Sequence, residues 1–323
     1  MSRKKVGVLR GGPSSEYEVS LKTGKSVIDN LNPEKYEALD IFIDRDGVWH
    51  YSGLPIEPEK VFKKVDVIFN ALHGAYGEDG TVQKILDQFG VPYTGSRALA
   101  SAIGMNKILS KKVYTDHGLK TPLHKVLHKK EHKPEHVSVI FKSFPMPAVV
   151  KPVSGGSSVG TNIASNLIEL ENAIDEAFKY GEQIMLEEFI SGKEATCGVV
   201  DNFREKEVYS LLPIEIRKPS ESKFFDYKAK YGGESEEICP GNFAVAEKKI
   251  IQEMAERAHR ALGLRHYSRS DFIVHPRRGI YILETNTLPG LTTESLLPKS
   301  LQAIGCKFSS FLEHLIELAL KGK

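Results

Sequence analysis

Four residues near the end of the sequence have the types and spacing of a metal site. Arg269 and Asp271 stand before a short turn-like segment, and Glu284 and Asn286 stand after it. Two neighbouring carboxylates repel each other unless a positive charge lies between them. Oxygen ligands of this kind suit Mg²⁺, which proteins usually hold with one or two carboxylates and substrate phosphates. The alternative is a charged surface that simply meets water.

A β-hairpin is the element that would bring these four side chains together. Two apolar runs, 272–274 and 280–283, flank the turn-like residues 276–279, a pattern typical of two antiparallel strands. We place the centre of the turn between Arg277 and Arg278. Because side chains alternate between the faces of a strand, one face would then carry Asp271 opposite Glu284 and Arg269 opposite Asn286.

Length and composition exclude several classes of protein. The chain has 323 residues, of which 41% are hydrophobic and 27% charged, and its net charge is +2. This is typical of a globular protein of two or three domains, and no basic surface for a nucleic-acid partner is expected. The three cysteines lack CxxC spacing, so neither a disulfide framework nor a zinc site is predicted. Because no apolar run approaches about 18 residues and no signal peptide is recognisable, we expect a cytoplasmic protein with no membrane partner.

The N-terminal part of the chain predicts a doubly wound α/β domain. A strand at 6–9 leads through a glycine-rich turn into a helix at 19–31, and further strands are expected at 38–43 and 65–72. His73 and a glycine-rich loop follow the last of these strands, where open α/β sheets bind ligands. A structural, hydrogen-bonded histidine is the alternative. The GxGxxG pattern is absent, which disfavours a dinucleotide site.

Two later strand ends carry residues suited to a nucleotide. Lys151 ends the strand 148–152, and the glycine- and serine-rich loop 153–160 can direct many donors toward an anion. Glu187 lies at the end of another strand with Glu194 after it, placed to accept hydrogen bonds from a ribose or an adenine amine. A flexible surface loop and two surface acids are the alternatives.

The remaining segments would frame these residues. The segment 218–233 is rich in lysine and tyrosine and has no clear period, and a long aromatic loop of this kind is often an active-site lid. The stretches 95–105 and 125–136 are expected to be a connection and a solvated surface. Helices are predicted at 106–117, 244–262 and 308–320.

Taken together, these motifs resemble the D-alanine–D-alanine ligases of the ATP-grasp superfamily. The resemblance extends from Gly11 to Ser295, with the family's motifs in the family's order. They are GGPSSEYEVS (11–20), ALHGAYGEDG (71–80), GMNK (104–107), VKPVSGGSSVG (150–160), LEEFISGKE (186–194), FFDYKAKY (224–231), RSDF (269–272) and ETNTLPGLT (284–292).

The resemblance implies a fold of class α/β plus α+β. Residues 1–103 would form the N-terminal doubly wound α/β domain and residues 104–323 a two-part ATP-grasp domain. The central part of the latter would cover about 104–187 and the C-terminal part about 188–323.

The implied activity is that of an ATP-dependent carboxylate–amine ligase. One D-alanine would be activated as D-alanyl phosphate and coupled to a second D-alanine, with release of ADP and phosphate, for peptidoglycan precursor synthesis. ATP would be the co-substrate, and two Mg²⁺ or Mn²⁺ ions the cofactors. A homodimer is expected because family members are commonly dimers.

The resemblance also implies roles for individual residues. For ATP and its metal ions, the residues are Lys107, Lys151 and Lys230 (ATP phosphates and the lid), Glu187 and Glu194 (adenine and ribose), and Asp271, Glu284 and Asn286 (metal ions). For the substrates, they are Glu16 and His73 (first D-alanine), Ser157 and Tyr231 (a link from Glu16 to the lid), Arg269 and the Gly290 amide (oxyanion), and Ser295 (carboxylate of the second D-alanine).

Two departures from the family pattern and two alternatives remain. Asn106 stands where many members have Asp, and Glu294 adds an acid beside Ser295 in the pocket for the second substrate. The chain could be a ligase for another carboxylate and an amine or hydroxy acid, or a nucleotide-binding regulatory protein without turnover. An intact set of all four hairpin residues argues against the regulatory protein, which would not need them.

Overall fold

The computed structural model describes residues 3–155, 159–217 and 236–322. Within these ranges the strands form three sheets, each drawn from one continuous stretch of the chain. The mixed α/β architecture predicted from the sequence is confirmed.

The N-terminal sheet has the strand order β4-β3-β2-β1-β5. β1 pairs in parallel with β2 and β5, whereas β3 and β4 form an antiparallel edge. The apolar stretches predicted as strands and helix are therefore found, with slightly shifted ends. The elements are β1 (Lys4–Gly11), α1 (Tyr17–Asn30), β2 (Tyr36–Ile43), β3 (Trp49–Tyr51), β4 (Leu54–Pro55), α2 (Pro58–Phe62), β5 (Val67–Asn70) and α3 (Thr81–Gln88).

The C-terminal helix, α10 (Phe308–Leu320), covers one face of this sheet. Its buried Phe311 and Leu315 share a core with Val6 and Phe69 of the sheet. Leu288, from the segment that follows the predicted hairpin, belongs to the same core. The first and last parts of the chain are thus packed together in one core. The two predicted D-alanine subsites, near His73 and Ser295, are therefore attached to the same core.

The central sheet is antiparallel, with the order β6-β9-β7-β8. One face packs on helices α6 and α7, where apolar residues such as Val150 and Leu186 are fully buried. Alternation along the strands turns Lys151 and Glu187 to the other face. The elements are β6 (His124–His128), α6 (Pro134–Ser143), β7 (Ala148–Pro152), β8 (Asn162–Ala164), α7 (Leu167–Ala177) and β9 (Gln183–Glu188).

The C-terminal sheet has the order β13-β12-β10-β14-β15, and β11 pairs with β10 beside β12. Its core is closed by α8 and also by α5, whose Tyr114 is fully buried there. The elements are α4 (Ala98–Met105), α5 (Lys107–Asp116), β10 (Lys193–Phe203), β11 (Lys206–Ser210), β12 (Ile214–Arg217), β13 (Glu236–Ile238), α8 (Val245–Ala261), β14 (Tyr267–His275), β15 (Gly279–Asn286), α9 (Leu296–Ala303) and α10.

The stretch 95–105, expected to be a connection, contains helix α4. This helix is short and only partly buried, so its apolar periodicity is weak. The expectation of a solvated surface at 125–136 is confirmed, because most of these residues are exposed, although the stretch also contains most of β6 and the start of α6. In the described ranges, no helix has the length and apolar character that a membrane crossing needs.

Candidate functional site

The hairpin of β14 and β15 has the predicted cross-strand pairs at its functional end. Asp271 pairs with Glu284, and Arg269 pairs with Asn286. The turn itself is displaced by half a residue, because His275 pairs with Gly279 and the centre is therefore Arg277. The prediction of a turn centred between two arginines was wrong, although the pairs deduced from it are confirmed.

A β-bulge accounts for this result. The register changes between Asp271 and Phe272, which pairs with Ile282 and leaves Leu283 as an extra residue in β15. Without the bulge, Glu284 would lie on the face of Ile282, in the apolar core. The extra residue turns Glu284 to the face of Asp271, and re-aiming a side chain is a recognised consequence of a bulge.

Asp271 is held by two neighbours on this face. Arg269 donates to both of its carboxylate oxygens, from Nε and Nη2, at 3.0 Å each. Thr196 of β10 donates from Oγ1 to Oδ1 at 2.6 Å. The side chains of Arg269 and Asp271 are 17% and 21% exposed, so the pair remains accessible to a ligand.

The donor chemistry of this face fits a hard divalent cation. Two carboxylates and the Asn286 amide oxygen are the ligand types that Mg²⁺ and Mn²⁺ accept. The Asn286 oxygen also accepts a hydrogen bond from the Leu288 amide at 2.9 Å, which orients it. The Arg269 guanidinium supplies a positive charge beside Asp271.

A second charged cluster lies on the face of the central sheet opposite α6 and α7. Glu187 Oε2 is 2.8 Å from Lys151 Nζ and 3.1 Å from Lys111 Nζ. The exposed fractions of the three side chains are 3%, 11% and 0%, respectively. Lys111 also donates to Thr121 Oγ1 at 2.6 Å.

Burial and charge act against each other in this cluster. Burial alone would raise the pKa of Glu187, but the charges of Lys111 and Lys151 outweigh it and hold the pKa below its ordinary value. Burial lowers the pKa of Lys111 to about 8, although Glu187 opposes this shift. The alternative of a surface acid does not hold for Glu187, which is buried against two lysines. The neighbouring Glu188 pairs with Arg278.

Helix α5 joins these regions. Asn106 caps the helix by accepting from the amides of Ile108 and Leu109, a role that Asn and Asp fill equally well. From one face of the helix, Lys107 donates to the Gly155 carbonyl at 2.8 Å and Lys111 contacts Glu187. One turn further, Tyr114 donates to Thr285 Oγ1 on β15 at 2.8 Å.

The predicted subsite for the first D-alanine contains a histidine between two polar neighbours. His73 is 5% exposed, with Nε2 2.8 Å from Thr23 Oγ1 and Nδ1 3.2 Å from Glu78 Oε1. A Cβ placed on Gly74 would lie 2.8 Å from Glu16 Oε2, so the Glu16 carboxylate lies against the same loop. Burial raises the pKa of Glu78.

Gly290 and Ser295 also lie together. A Cβ placed on Gly290 would be 2.9 Å from Ser295 Oγ, and Ser295 Oγ accepts from the Thr292 amide at 3.1 Å. Ser26 of α1 donates to the Leu291 carbonyl at 2.9 Å, which ties this loop to the N-terminal sheet.

Other predicted residues have different outcomes. Glu194 lies on β10 opposite Ile273, on the strand that also carries Thr196. Ser157, Lys230, Tyr231 and the predicted lid at 218–233 lie outside the described residues.

The sequence interpretation missed three residues of these clusters, Lys111, Glu78 and Thr196. Lys111 follows Lys107 by four positions in a predicted helix, and that spacing places both on one helix face. Glu78 is an acidic residue in the loop that begins at His73, so its position in the sequence already indicated a partner for the histidine. For Thr196 we find none in the sequence.

Two family models match the chain. The model described as the D-ala D-ala ligase N-terminus matches residues 5–58 and 53–96. The model described as the D-ala D-ala ligase C-terminus matches residues 113–317.

Whole proteins and solved structures agree with these matches. The D-alanine–D-alanine ligase of Geobacter sulfurreducens is 40% identical over 99% of this chain and 96% of that protein. The VanG D-Ala:D-Ser ligase of Enterococcus faecalis superimposes with a TM-score of 0.87 at 33% identity, covering 98% of this chain and 100% of that one. The Bacillus anthracis D-alanine–D-alanine ligase complexed with ATP gives a TM-score of 0.80 at 33% identity, covering 99% and 98%.

Proposed function

The chain belongs to the D-alanine–D-alanine ligase family, and we propose how its residues perform the ligation. It is an ATP-dependent ligase that forms D-alanyl-D-alanine, a component of peptidoglycan precursors. The observation that carries the assignment of roles is the single hairpin face on which Asp271 and Glu284 stand opposite each other, beside Arg269 and Asn286.

In the first step, the carboxylate of one D-alanine attacks the γ-phosphorus of ATP. An oxygen–phosphorus bond forms, the bond to ADP breaks, and D-alanyl phosphate results. Glu16 binds the ammonium of this D-alanine, and His73 lies beside it. Lys107 and Lys151 bind the ATP phosphates, while Glu187 and Glu194 contact the adenine and ribose.

Asp271, Glu284 and Asn286 are the residues that would hold two Mg²⁺ or Mn²⁺ ions. When bound, these ions supply positive charge at the phosphate oxygens, where charge accumulates during transfer. The donor set described above supports this assignment.

In the second step, the other D-alanine loses its ammonium proton and its amine attacks the carbonyl carbon of D-alanyl phosphate. The carbon–nitrogen bond forms, and the carbon–oxygen bond to phosphate breaks. Arg269 and the Gly290 amide stabilise the negative oxygen of the tetrahedral intermediate, as preorganised donors do in acyl transfer. Ser295 binds the carboxylate of the second D-alanine. The proximity of Gly290 and Ser295 supports these two roles.

The segment with Lys230 and Tyr231 is assigned the role of a lid. D-alanyl phosphate hydrolyses readily, so water must be kept away from it. Ser157 and Tyr231 would link Glu16 to the closed lid.

The domain boundaries at 103/104 and 187/188 remain part of the proposal. Helix α5 is assigned to the central part of the ATP-grasp domain, but it packs on the C-terminal sheet.

Incubation of the purified chain with ATP, Mg²⁺ and D-alanine tests this proposal. We expect D-alanine-dependent phosphate release and D-alanyl-D-alanine by mass spectrometry. With D-lactate or D-serine also present in excess at pH 7 to 9, we expect D-alanyl-D-alanine as the main product. A tyrosine has a reference pKa of about 10, so Tyr231 is neutral near pH 7 and does not repel the ammonium of an incoming D-alanine. A protonated histidine at this position would repel that ammonium and favour a hydroxy acid such as D-lactate.

A mostly D-alanyl-D-lactate product would refute the argument from Tyr231. A mostly D-alanyl-D-serine product would instead reassign the second subsite, and phosphate release without any D-alanine-dependent product would refute the substrate assignment.

We further propose that the enzyme is a homodimer that acts in the cytoplasm, where ATP is available, without a nucleic-acid or membrane partner. The balanced net charge of +2 supports the absence of a nucleic-acid partner. Light scattering of the purified chain measures its mass, and a monomer at micromolar concentration would refute the dimer.

A further inference from the structure

Lys111 is a charged residue that the steps above do not use. Its side chain is fully buried, with 0% exposed, on α5 behind Glu187. Its ammonium contacts Glu187 Oε2 at 3.1 Å and Thr121 Oγ1 at 2.6 Å. Because it has no exposed surface, it can affect a bound nucleotide only through a neighbour such as Glu187.

Glu187 and Lys151 together present an acceptor beside a donor. Their charged atoms are 2.8 Å apart, and Lys151 is the more exposed of the two lysines that contact Glu187. The Lys151 ammonium has three N–H donors, so one can face the base while the others contact Glu187 and an ATP phosphate. Adenine carries a donor, the N6 amine, next to an acceptor, N7, on one edge. A 6-oxo purine has acceptors at both positions. The pair therefore complements the 6-amino purine only.

This complementarity requires an ionised Glu187. An ionised carboxylate only accepts hydrogen bonds, whereas a protonated one can also donate and would then tolerate a 6-oxo group. Burial favours the protonated form of Glu187. Lys151 alone, which also contacts the nucleotide, would offset this effect less well than Lys151 and Lys111 together. The Lys111 ammonium supplies the second charge from the side that the nucleotide cannot reach.

We propose that Lys111 is a positioning residue for nucleotide selection: it holds Glu187 ionised and in place, so that Glu187 and Lys151 select a 6-amino over a 6-oxo purine. The proposal rests on the proposed function, which assigns Glu187 to the base of ATP.

The test is the selectivity of nucleotide binding in Lys111→Met, which preserves length and removes charge. Dissociation constants for ATP and for inosine triphosphate, a 6-oxo purine nucleotide, are measured by calorimetry with Mg²⁺ and without D-alanine. We expect the wild type to favour ATP and the ratio of the two constants to fall at least tenfold in the variant. The control is Lys112→Met, a neighbouring lysine whose side chain is 71% exposed, and its ratio should be unchanged.

A merely structural role would weaken both nucleotides equally and leave the ratio unchanged, and that result would overturn the proposal. Equal affinity of the wild type for both nucleotides would also overturn it. If Lys111→Met does not fold, the same ratio of dissociation constants is measured in Thr121→Val. This substitution removes one contact of the ammonium and should lower the ratio about threefold, and an unchanged ratio would overturn the proposal.

The assay without D-alanine separates this proposal from the proposed function. Selective ATP binding that responds to Lys111→Met, in a wild type that forms no D-alanine-dependent product, would refute the ligase assignment and leave the role of Lys111 in place.

Discussion

Two charged clusters face the proposed ATP site, and they are built differently. In the cluster of Lys111, Lys151 and Glu187, the side chains are between 0% and 11% exposed. In the pair of Arg269 and Asp271 on the hairpin, they are 17% and 21% exposed. The first cluster is enclosed from behind by a helix, and the second is open to ligands.

This difference matches the work proposed for each cluster. Buried charges are costly unless each has a fixed partner, so the enclosed cluster keeps one arrangement and can select a base by geometry. The hairpin face is proposed to hold metal ions with Asp271, whose carboxylate already contacts Arg269. Because this pair is more accessible, a ligand can approach it at lower cost.

Glu284→Gln tests the open cluster and should have the largest effect. It removes one of the two negative charges of the proposed metal site and keeps the size of the side chain. We expect ligation to fall at least on the order of 1,000-fold, with a native-like melting curve. Steady-state phosphate release measures this effect, and Glu253→Gln on the surface of α8 is the control. Ordinary turnover at moderate Mg²⁺ would refute the metal assignment.

Lys151→Ala tests the enclosed cluster from its accessible side. The substitution removes an ammonium that contacts both Glu187 and, as proposed, the phosphates. A hydrogen bond to a charged group is worth about 1.5–3 kcal/mol, so ATP affinity should fall about 10- to 100-fold.

Calorimetry with ATP measures that loss. Lys179→Ala, whose side chain is 67% exposed, is the matched control. Unchanged affinity in Lys151→Ala would mean that the glycine- and serine-rich loop is only a surface turn.

The two clusters also differ in how far they could be predicted from the sequence. The hairpin pairs follow from the two-residue period of strands and a turn between two apolar runs. The bulge at Leu283 could not be predicted, because it depends on which face of β15 meets the core. The two errors cancelled: the turn centre was half a residue off, and the bulge restored the predicted pairs.

The enclosed cluster was harder to predict because its partners come from distant parts of the chain. Lys151 and Glu187 were found from their strand ends, but their contact depends on the pairing of β7 with β9. Lys111 is one of 44 basic residues, and only the packing of α5 reveals that it is buried. Alternation and strand ends are local signals, whereas the pairing of charges across elements is a tertiary one.

The pH dependence of stability sharpens the contrast further. The unfolded chain keeps the Lys111 proton up to about pH 10.4, whereas burial lowers its folded-state pKa to about 8. Between these values the unfolded state binds more protons, so the contribution of Lys111 to stability rises with pH. It should rise by about 1–3 kcal/mol between pH 8 and 10.

Lys111→Met lacks this contribution. Urea unfolding at pH 7.5, 8.5 and 9.5 should therefore show wild type gaining stability relative to the variant as pH rises. The same measurement on Lys112→Met shows how much of the pH dependence comes from removing any lysine at this helix rather than from Lys111. A difference that is independent of pH would contradict the lowered pKa.

The smallest effect is expected for the pair of Arg278 and Glu188, next to the enclosed cluster. Glu188 follows Glu187 on β9 and points to the opposite face, and Arg278 is 45% exposed. Glu188 is only 15% exposed, but water and salt reach the guanidinium and screen the pair, and Lys120 remains over the Tyr281 ring at 4.3 Å. Arg278→Ala should therefore change Tm by no more than about 2 °C and ATP affinity by less than about twofold. A loss of Tm well above this value would show that the partly exposed pair stabilises the fold as much as a buried pair does.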